Sequence, residues 1–337
     1  MKQNKTNENI ARVIAQYRGK YRVLCKNKEY WAEVTGKSIF KAASPLDFPV
    51  VGDLVNISVL EYDRAIIESV LPRKNILQRK SAGNDDVQPI ASNVDTAFIV
   101  QAVDRDFNLN RFERYLTIVE AAKIMPVMVL NKCDLITPEE LDEKMGQLET
   151  RFKGIPFITT SVLKFDGIDP LKKAITPQQI HCLLGSSGVG KSSLINKLLG
   201  IELIKTKEIS AQTNKGKHTT THRELFVLDN SGMIIDNPGM REIGLVDAKE
   251  GISSVFAEIE QLGKGCKFID CTHKHEPGCK VLAAVESGEL NADKYQSYLK
   301  LKKEEIYYDM TSLEKRQKDK SFGKMVKTTL KQIRKLK

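Results

Sequence analysis

Asn131-Lys132-Cys133-Asp134 stands ahead of Gly185-Ser186-Ser187-Gly188-Val189-Gly190-Lys191-Ser192, and the order of these two stretches decides the fold. The first reads as N-K-x-D, a loop that recognises guanine. The second matches G-x-x-x-x-G-K-[ST], whose backbone amides cradle a phosphate chain. An ordinary small GTPase carries the phosphate loop first and the base-reading loop near its end. The reversed order predicts a circularly permuted P-loop α/β GTPase domain, with its phosphate half on the C-terminal side. Permutation keeps a site intact when the elements pack in the same places.

The surroundings of the phosphate loop fit its chemistry. An apolar strand over residues 180–184 runs into it, and a helix over 191–199 follows with Leu194, Ile195 and Leu198 on one face. Closely spaced negative charges are met best by backbone N–H groups and a helix N-terminus, without bulky side chains. Gly185 and Gly190 permit that curl, and Ser186, Ser187, Gly188, Val189 and Ser193 complete the cradle. Lys191 reaches the β- and γ-phosphates, and the Ser192 hydroxyl is placed for Mg²⁺.

Asp236-Asn237-Pro238-Gly239 ends the next apolar strand; Asp236 is expected to orient the magnesium shell and the Gly239 amide to meet the γ-phosphate. Asp134 can accept from the ring N–H and exocyclic amine of guanine, a pattern that adenine lacks. Lys132 is expected to pack on the base, Asn131 to complete the loop, and Ser161-Val162 to form a second base-contacting segment. Together they select GTP and GDP over adenine nucleotides. Where many GTPases carry a water-orienting glutamine, this chain has Met240. The catalytic candidate is therefore His218, just before Thr219, Thr220 and Thr221; a threonine of this loop, Thr220 by preference, is expected to coordinate Mg²⁺. His222 is expected to pack or to face solvent.

Residues 10–70 read as about five short alternating strands, which suits a small barrel of oligonucleotide-binding (OB) or SH3-like type. Residues 73–93 lack periodicity and read as a linker. From 94 to 247 strands and helices alternate in the rhythm of a three-layer α/β sheet. Helices are expected over 253–262, 280–286 and 292–308. The predicted organisation is thus multidomain: a barrel over 1–72, a linker over 73–93, a GTPase domain over 94–247 and a mostly helical domain over 248–337. The last stretch, from Lys315 to Lys337, holds ten Lys or Arg against one Asp, either a solvated tail or an arm that sits on phosphates.

With 337 residues, a formal charge of +10 and a pI near 9.1, the chain favours a polyanionic partner. The N-terminus lacks the apolar core of a secretory signal, and no run approaches the roughly 18 apolar residues of a membrane span. A cytoplasmic protein without a membrane partner is the expectation. Of the cysteines Cys25, Cys133, Cys182, Cys266, Cys271 and Cys279, the last three cluster in C-x4-C-x-H-x5-C with His273. Three thiolates and an imidazole make a closed tetrahedral set for a structural Zn²⁺. His275 is the rival imidazole, and reduced buried cysteines are the bland alternative.

The constellation resembles the circularly permuted small-ribosomal-subunit biogenesis GTPases, the RsgA (YjeQ, YloQ) family. The resemblance runs over nearly the whole chain: the barrel-like segment, Asn131 to Asp134, Gly185 to Ser192, Lys217-His218-Thr219-Thr220, Asp236 to Gly239 and the cysteine–histidine segment. It implies an OB barrel, a GTPase domain and a C-terminal zinc domain with Cys266, Cys271, His273 and Cys279 as ligands. It further implies GTP hydrolysis stimulated by the small (30S) ribosomal subunit late in its maturation, with rRNA as partner and His218 in the catalytic position; a monomer is the expectation. Two spellings depart from the common ones. Asn237 stands where threonine is frequent, and Lys217, which lacks a bidentate fork, where arginine is frequent. The alternatives are a GTP-dependent RNA-binding module with negligible turnover and a large-subunit assembly GTPase.

Overall fold

The computed structural model describes residues 10–80, 87–104, 107–164, 166–200, 223–236, 244–310 and 314. The chain divides into two compact units, Met1–Gly244 and Leu245–Lys337.

The first unit opens on β1 (Ile10–Gln16), β2 (Tyr21–Cys25), β3 (Lys28–Val34), β4 (Leu54–Val59) and β5 (Arg64–Val70). Among the described residues they pair in the order β1-β2-β3-β5-β4, and β4 returns to β1, closing a barrel. The β3–β5 pair is parallel and the others are antiparallel. That Greek-key closure is the OB topology and settles the choice between the two barrels. Alternation drives it: Tyr21, Val23 and Cys25 point into a core with Val13, Ala32, Val55, Ile57 and Ile67, while Arg22 and Leu24 face outward. A short helix that periodicity did not reveal, α1 (Gly36–Lys41), joins β3 to β4. The Thr35 hydroxyl starts it by accepting from the Ser38 amide at 3.1 Å.

The segment expected as a linker carries an antiparallel hairpin, β6 (Ile76–Lys80) and β7 (Val87–Ser92). Its order comes from contacts far away in sequence. Asp53 is fully buried and accepts from Arg73 Nε and Nη2, both at 2.8 Å, from the Val50 amide and from the Ser92 hydroxyl. Arg73 also donates to the carbonyls of Leu46 and Phe48. A buried ion pair is tolerated when its remaining donors and acceptors are satisfied in this way. Gly52, at φ +99°, lets the backbone pass where a Cβ would lie 2.2 Å from the Ser92 carbonyl oxygen.

The α/β part follows as β8 (Thr96–Ala102), α2 (Leu109–Ala121), β9 (Met125–Asn131), α3 (Pro138–Arg151), β10 (Phe157–Thr159), α4 (Asp169–Ala174), β11 (Ile180–Leu184), α5 (Lys191–Leu199), β12 (Arg223–Val227) and β13 (Met233–Asp236). Sheet order is β10-β9-β8-β11-β13-β12, parallel except for the last pair. Every residue of β8 and β11 is buried, the pattern of strands covered on both faces. Strand β11 feeds the phosphate loop and lies between β8, from the earlier half of the chain, and β13, from the later half. Permutation has left the sheet whole. Pro138 opens α3, and Thr137 and Glu140 cap it reciprocally, as their spacing predicts. At its other edge the sheet continues into the barrel, because β12 pairs antiparallel with β1 through Ala15↔Glu224 and Gln16↔Arg223.

The second unit contains α6 (Lys249–Val255), α7 (Ala257–Gly263), α8 (Lys280–Glu286) and α9 (Ala292–Asp309). The single helix expected over 253–262 is two, broken at Phe256. The Phe256 ring is buried edge-on against Tyr298, 5.5 Å between centroids, and its backbone leaves helical geometry to put it there. Among the described residues no helix is long and apolar enough to cross a membrane.

Candidate nucleotide site and metal cluster

The two motifs that are far apart in sequence meet at the C-terminal ends of β9 and β11. Asn131 is fully buried, and its Nδ2 donates to the Val189 carbonyl at 2.8 Å. Its Oδ1 accepts from the Thr160 hydroxyl at 3.0 Å. One side chain therefore clasps the base-reading loop, the end of β10 and the phosphate loop. Gly190 makes room for it, since a Cβ there would lie 2.3 Å from Asn131 Nδ2.

The phosphate loop is built on left-handed glycines: φ is +87° at Gly188 and +97° at Gly190, while a Cβ on Gly185, at +148°, would lie 2.2 Å from the Val100 carbonyl oxygen. Val189 between them is buried in the sheet core. Lys191 Nζ donates to the carbonyls of Gly185 and Ser186, at 2.8 and 2.6 Å, which folds the ammonium over the loop. No side chain caps α5, so its first amides remain directed at the loop. Ser186, Ser187, Ser192 and Ser193 flank these groups.

Asp134 sits across from Ser161-Val162, the segment expected to give a second base contact. The Ser161 hydroxyl donates to Asp134 Oδ1 at 2.5 Å and accepts from the amides of Leu163 and Lys164. Val162 packs on the sheet core. Lys132 is left-handed, at φ +64°, with Nζ 3.7 Å from Asp104. Burial pushes the thiol of Cys133 up and keeps it protonated. Asp236 is buried at the end of β13, beside β11 in parallel register. Its carboxylate and the Ser192 hydroxyl are hard oxygen donors, the kind that suits Mg²⁺. His218, Thr219, Thr220, Gly239, Met240, Lys217, Asn237 and His222 lie outside the described residues. Sequence reasoning missed Thr160; the signal available was a hydroxyl residue ending the strand beside the one that delivers Asn131.

In the second unit, Cys266 Sγ, Cys271 Sγ, Cys279 Sγ and a ring nitrogen of His273 all lie within 4.8 Å of one another. Cys266 Sγ is 3.8 Å from Cys279 Sγ, and His273 Nδ1 is 3.6 and 3.4 Å from those sulfurs. A tetrahedral zinc site separates two thiolates by about 3.8 Å and a thiolate from an imidazole nitrogen by about 3.6 Å. The donor set fits zinc in both chemistry and spacing. His275 is exposed and outside the cluster. The knuckle is held from several sides. Cys279 Sγ accepts from the Leu282 amide at the start of α8, and the Tyr295 hydroxyl donates to the His273 carbonyl. Glu276 gathers the Thr272 hydroxyl and the amides of Thr272, Lys274 and His275. Those bonds, Thr272's first, hold its carboxyl well below the usual carboxylate range.

Comparison with known proteins agrees with this geometry. A family model described as RsgA GTPase matches residues 70–246, and one described as 50S ribosome-binding GTPase matches residues 181–328. The chain is 43% identical over 316 residues to small ribosomal subunit biogenesis GTPase RsgA 2 of Lactiplantibacillus plantarum, covering 93% of this chain and 89% of that protein. It is 42% identical over 318 residues to RsgA 1 of Bacteroides thetaiotaomicron, covering 94% and 88%. Among solved structures, YjeQ from Thermotoga maritima superposes with a TM-score of 0.64 at 28% identity, over 87% of this chain and 96% of that one. YloQ, described as a circularly permuted GTPase, shares the fold with a TM-score of 0.62 at 24% identity, over 89% and 96%.

Proposed function

The chain belongs to the RsgA family of circularly permuted GTPases, and from that membership we propose that it hydrolyses GTP in late maturation of the small (30S) ribosomal subunit, with turnover stimulated by that subunit. The observation that carries the reading is the Asn131–Val189 clasp, which rejoins the guanine loop and the phosphate loop into one site despite their reversed order. Within it, Asp134 accepts from guanine, steadied by Ser161, while Lys132 and Val162 flank the base. The amides of Gly185 to Ser193, with Lys191, hold the phosphates. Ser192 and Asp236, with Thr220 and the Gly239 amide, would hold Mg²⁺ and the γ-phosphate; the ion supplies charge neutralisation there when bound. His218 orients the attacking water in this reading.

The four-ligand zinc cluster leaves no open position for water, so its role is structural. Small-subunit rRNA is the proposed partner of the OB barrel, the zinc unit and the basic tail, for a monomer that acts in the cytoplasm. The division at 1–72, 73–93, 94–247 and 248–337 belongs to the same proposal. The curated relatives' names favour the small subunit over the large, although one matching family model is described by the large. Phosphate release from GTP and from ATP, with and without purified small and large subunits, tests the whole. Stimulation by the small subunit with GTP alone is expected. Equal stimulation by the large subunit, or equal use of ATP, overturns the reading.

A further inference from the structure

Five residues form one cross-strand rung from the outer face of the barrel to the phosphate site. Trp31 pairs with Arg22, Arg22 with Ala15, Ala15 with Glu224, and Glu224 with Asp236. Directly opposed residues of antiparallel strands share a face, with Cβ atoms about 4.5–5.5 Å apart. Two acids, Glu224 and Asp236, therefore oppose each other across β12 and β13, and β13 lies next to β11, the strand that feeds the phosphate loop. Arg22 reaches across from β2: its Nη1 is 3.9 Å from Glu224 Oε1, with both side chains partly exposed. Ala15, fully buried and ending at its Cβ, leaves the way open over β1. The same guanidinium contacts Glu29 and lies 5.9 Å from the centre of the Trp31 ring. Trp31 is 48% exposed and packs on Tyr17 at 5.2 Å.

We propose that Arg22 couples RNA on the barrel to magnesium at the nucleotide site, by exchanging Glu224 for a phosphate of single-stranded RNA stacked on Trp31. The proposal rests on the RNA partner and on the Asp236 role given above. An exposed indole beside an arginine is the usual platform for single strands, the base stacking while the cation meets the backbone. When Arg22 turns to that phosphate, Glu224 loses the positive charge that Arg22 holds near it, opposite Asp236. The added negative field draws in a divalent cation. The two-state element is the guanidinium itself, shared between two carboxylates in one state and bound to the ligand in the other.

The experiment titrates Mg²⁺ into the full chain with a fluorescent non-hydrolysable GTP analogue, with and without saturating short oligouridylate, and measures RNA binding separately. RNA is expected to lower half-saturating Mg²⁺ about 3- to 10-fold in the wild type. Glu224→Gln is expected to bind the RNA equally well and lose that shift. Arg22→Gln is expected to bind RNA more weakly and show the lowered Mg²⁺ requirement without it. A shift that survives in Glu224→Gln, or RNA binding without any shift in the wild type, overturns the coupling. Failure of oligouridylate to bind overturns it too, while GTP turnover on small subunits would leave the functional reading standing.

Discussion

Asn131 Nδ2 and the Val189 carbonyl, 58 residues apart in sequence, are joined at 2.8 Å inside the protein. Neither group touches solvent, so the bond is made between desolvated partners. The relationship explains how reversing the motif order leaves the site intact. What a GTPase site needs is a fixed distance between base loop and phosphate loop, and one amide sets it through space. Removing that amide leaves a buried carbonyl without its donor, which costs about 1–3 kcal/mol. Asn131→Ala is therefore expected to lower the thermal midpoint and to weaken GDP and GTP alike, by roughly 10-fold or more if most of that cost falls on the loop geometry. Differential scanning fluorimetry with and without nucleotide checks both. A variant with unaltered nucleotide affinity would remove the clasp from the site.

Base choice is carried next door. Asp134→Asn offers a donor where xanthine has a carbonyl, so preference is expected to move from GTP toward XTP in an equilibrium titration. Ser161→Ala deletes the hydroxyl that holds Asp134 in place but leaves the carboxylate's chemistry unaltered. It is expected to weaken GTP binding by only a few-fold, about 1 kcal/mol for one hydrogen bond, with the GTP-over-XTP ratio intact. The two variants separate recognition from positioning. Parallel loss of the ratio in both would sink the division of labour.

What could be read from the chain follows the range of the forces involved. The phosphate loop, its flanking strand and helix, and the Thr137 cap are local, and they stand where periodicity and capping chemistry place them. The cysteine–histidine spacing is local too, and its four donors converge. The β6–β7 hairpin was not legible. Its order depends on Asp53, Arg73 and Ser92, a buried polar network whose members are scattered and whose local sequence is turn-like. Likewise nothing in residues 253–262 announces the break at Phe256, because the cause is a ring contact with Tyr298 on another helix. The choice of OB over SH3-like closure lay in strand pairing, which alternation alone does not encode.

Zinc should be separable from nucleotide. Cys271→Ser removes one of four donors and is expected to yield protein with little bound zinc and an unstable second unit, with guanine nucleotide binding retained. Elemental analysis after chelator-free purification gives the metal content, and limited proteolysis reports on the unit. Wild-type protein holding no zinc would falsify the four-ligand assignment outright.

His181 supplies a pH test. It is fully buried in β11, stacked 5.6 Å from the Phe98 ring, with Nδ1 against the Met233 carbonyl and Nε2 accepting from the Thr176 amide. Burial is the main cause that holds its pKa below the usual histidine value. The unfolded chain therefore takes up the proton first as pH falls. Stability from this residue is complete above about pH 6.5, the unperturbed value, and is lost below it. Denaturant unfolding at a series of pH values from 7.5 to 5 is expected to show that loss, and His181→Leu, though less stable at neutral pH, is expected to show a shallower slope. Equal slopes would mean that the ring takes up its proton at the same pH in the fold as in the unfolded chain, so that burial does not lower its pKa.

Catalysis is the sharpest case, because Met240 deprives the chain of the glutamine that many GTPases use. His218, ahead of the threonines, is the side chain proposed to orient the water. His218→Ala is expected to keep near-normal GTP affinity, since an imidazole is not needed to hold base or phosphates in the ground state. Turnover on the small subunit is expected to fall by about 10²–10⁴, the usual worth of a side chain that assists proton transfer. Single-turnover hydrolysis on saturating subunits isolates the chemical step from product release. If that rate survives while subunit affinity drops, His218 is a docking residue. The water-orienting group would then have to come from the partner, RNA included.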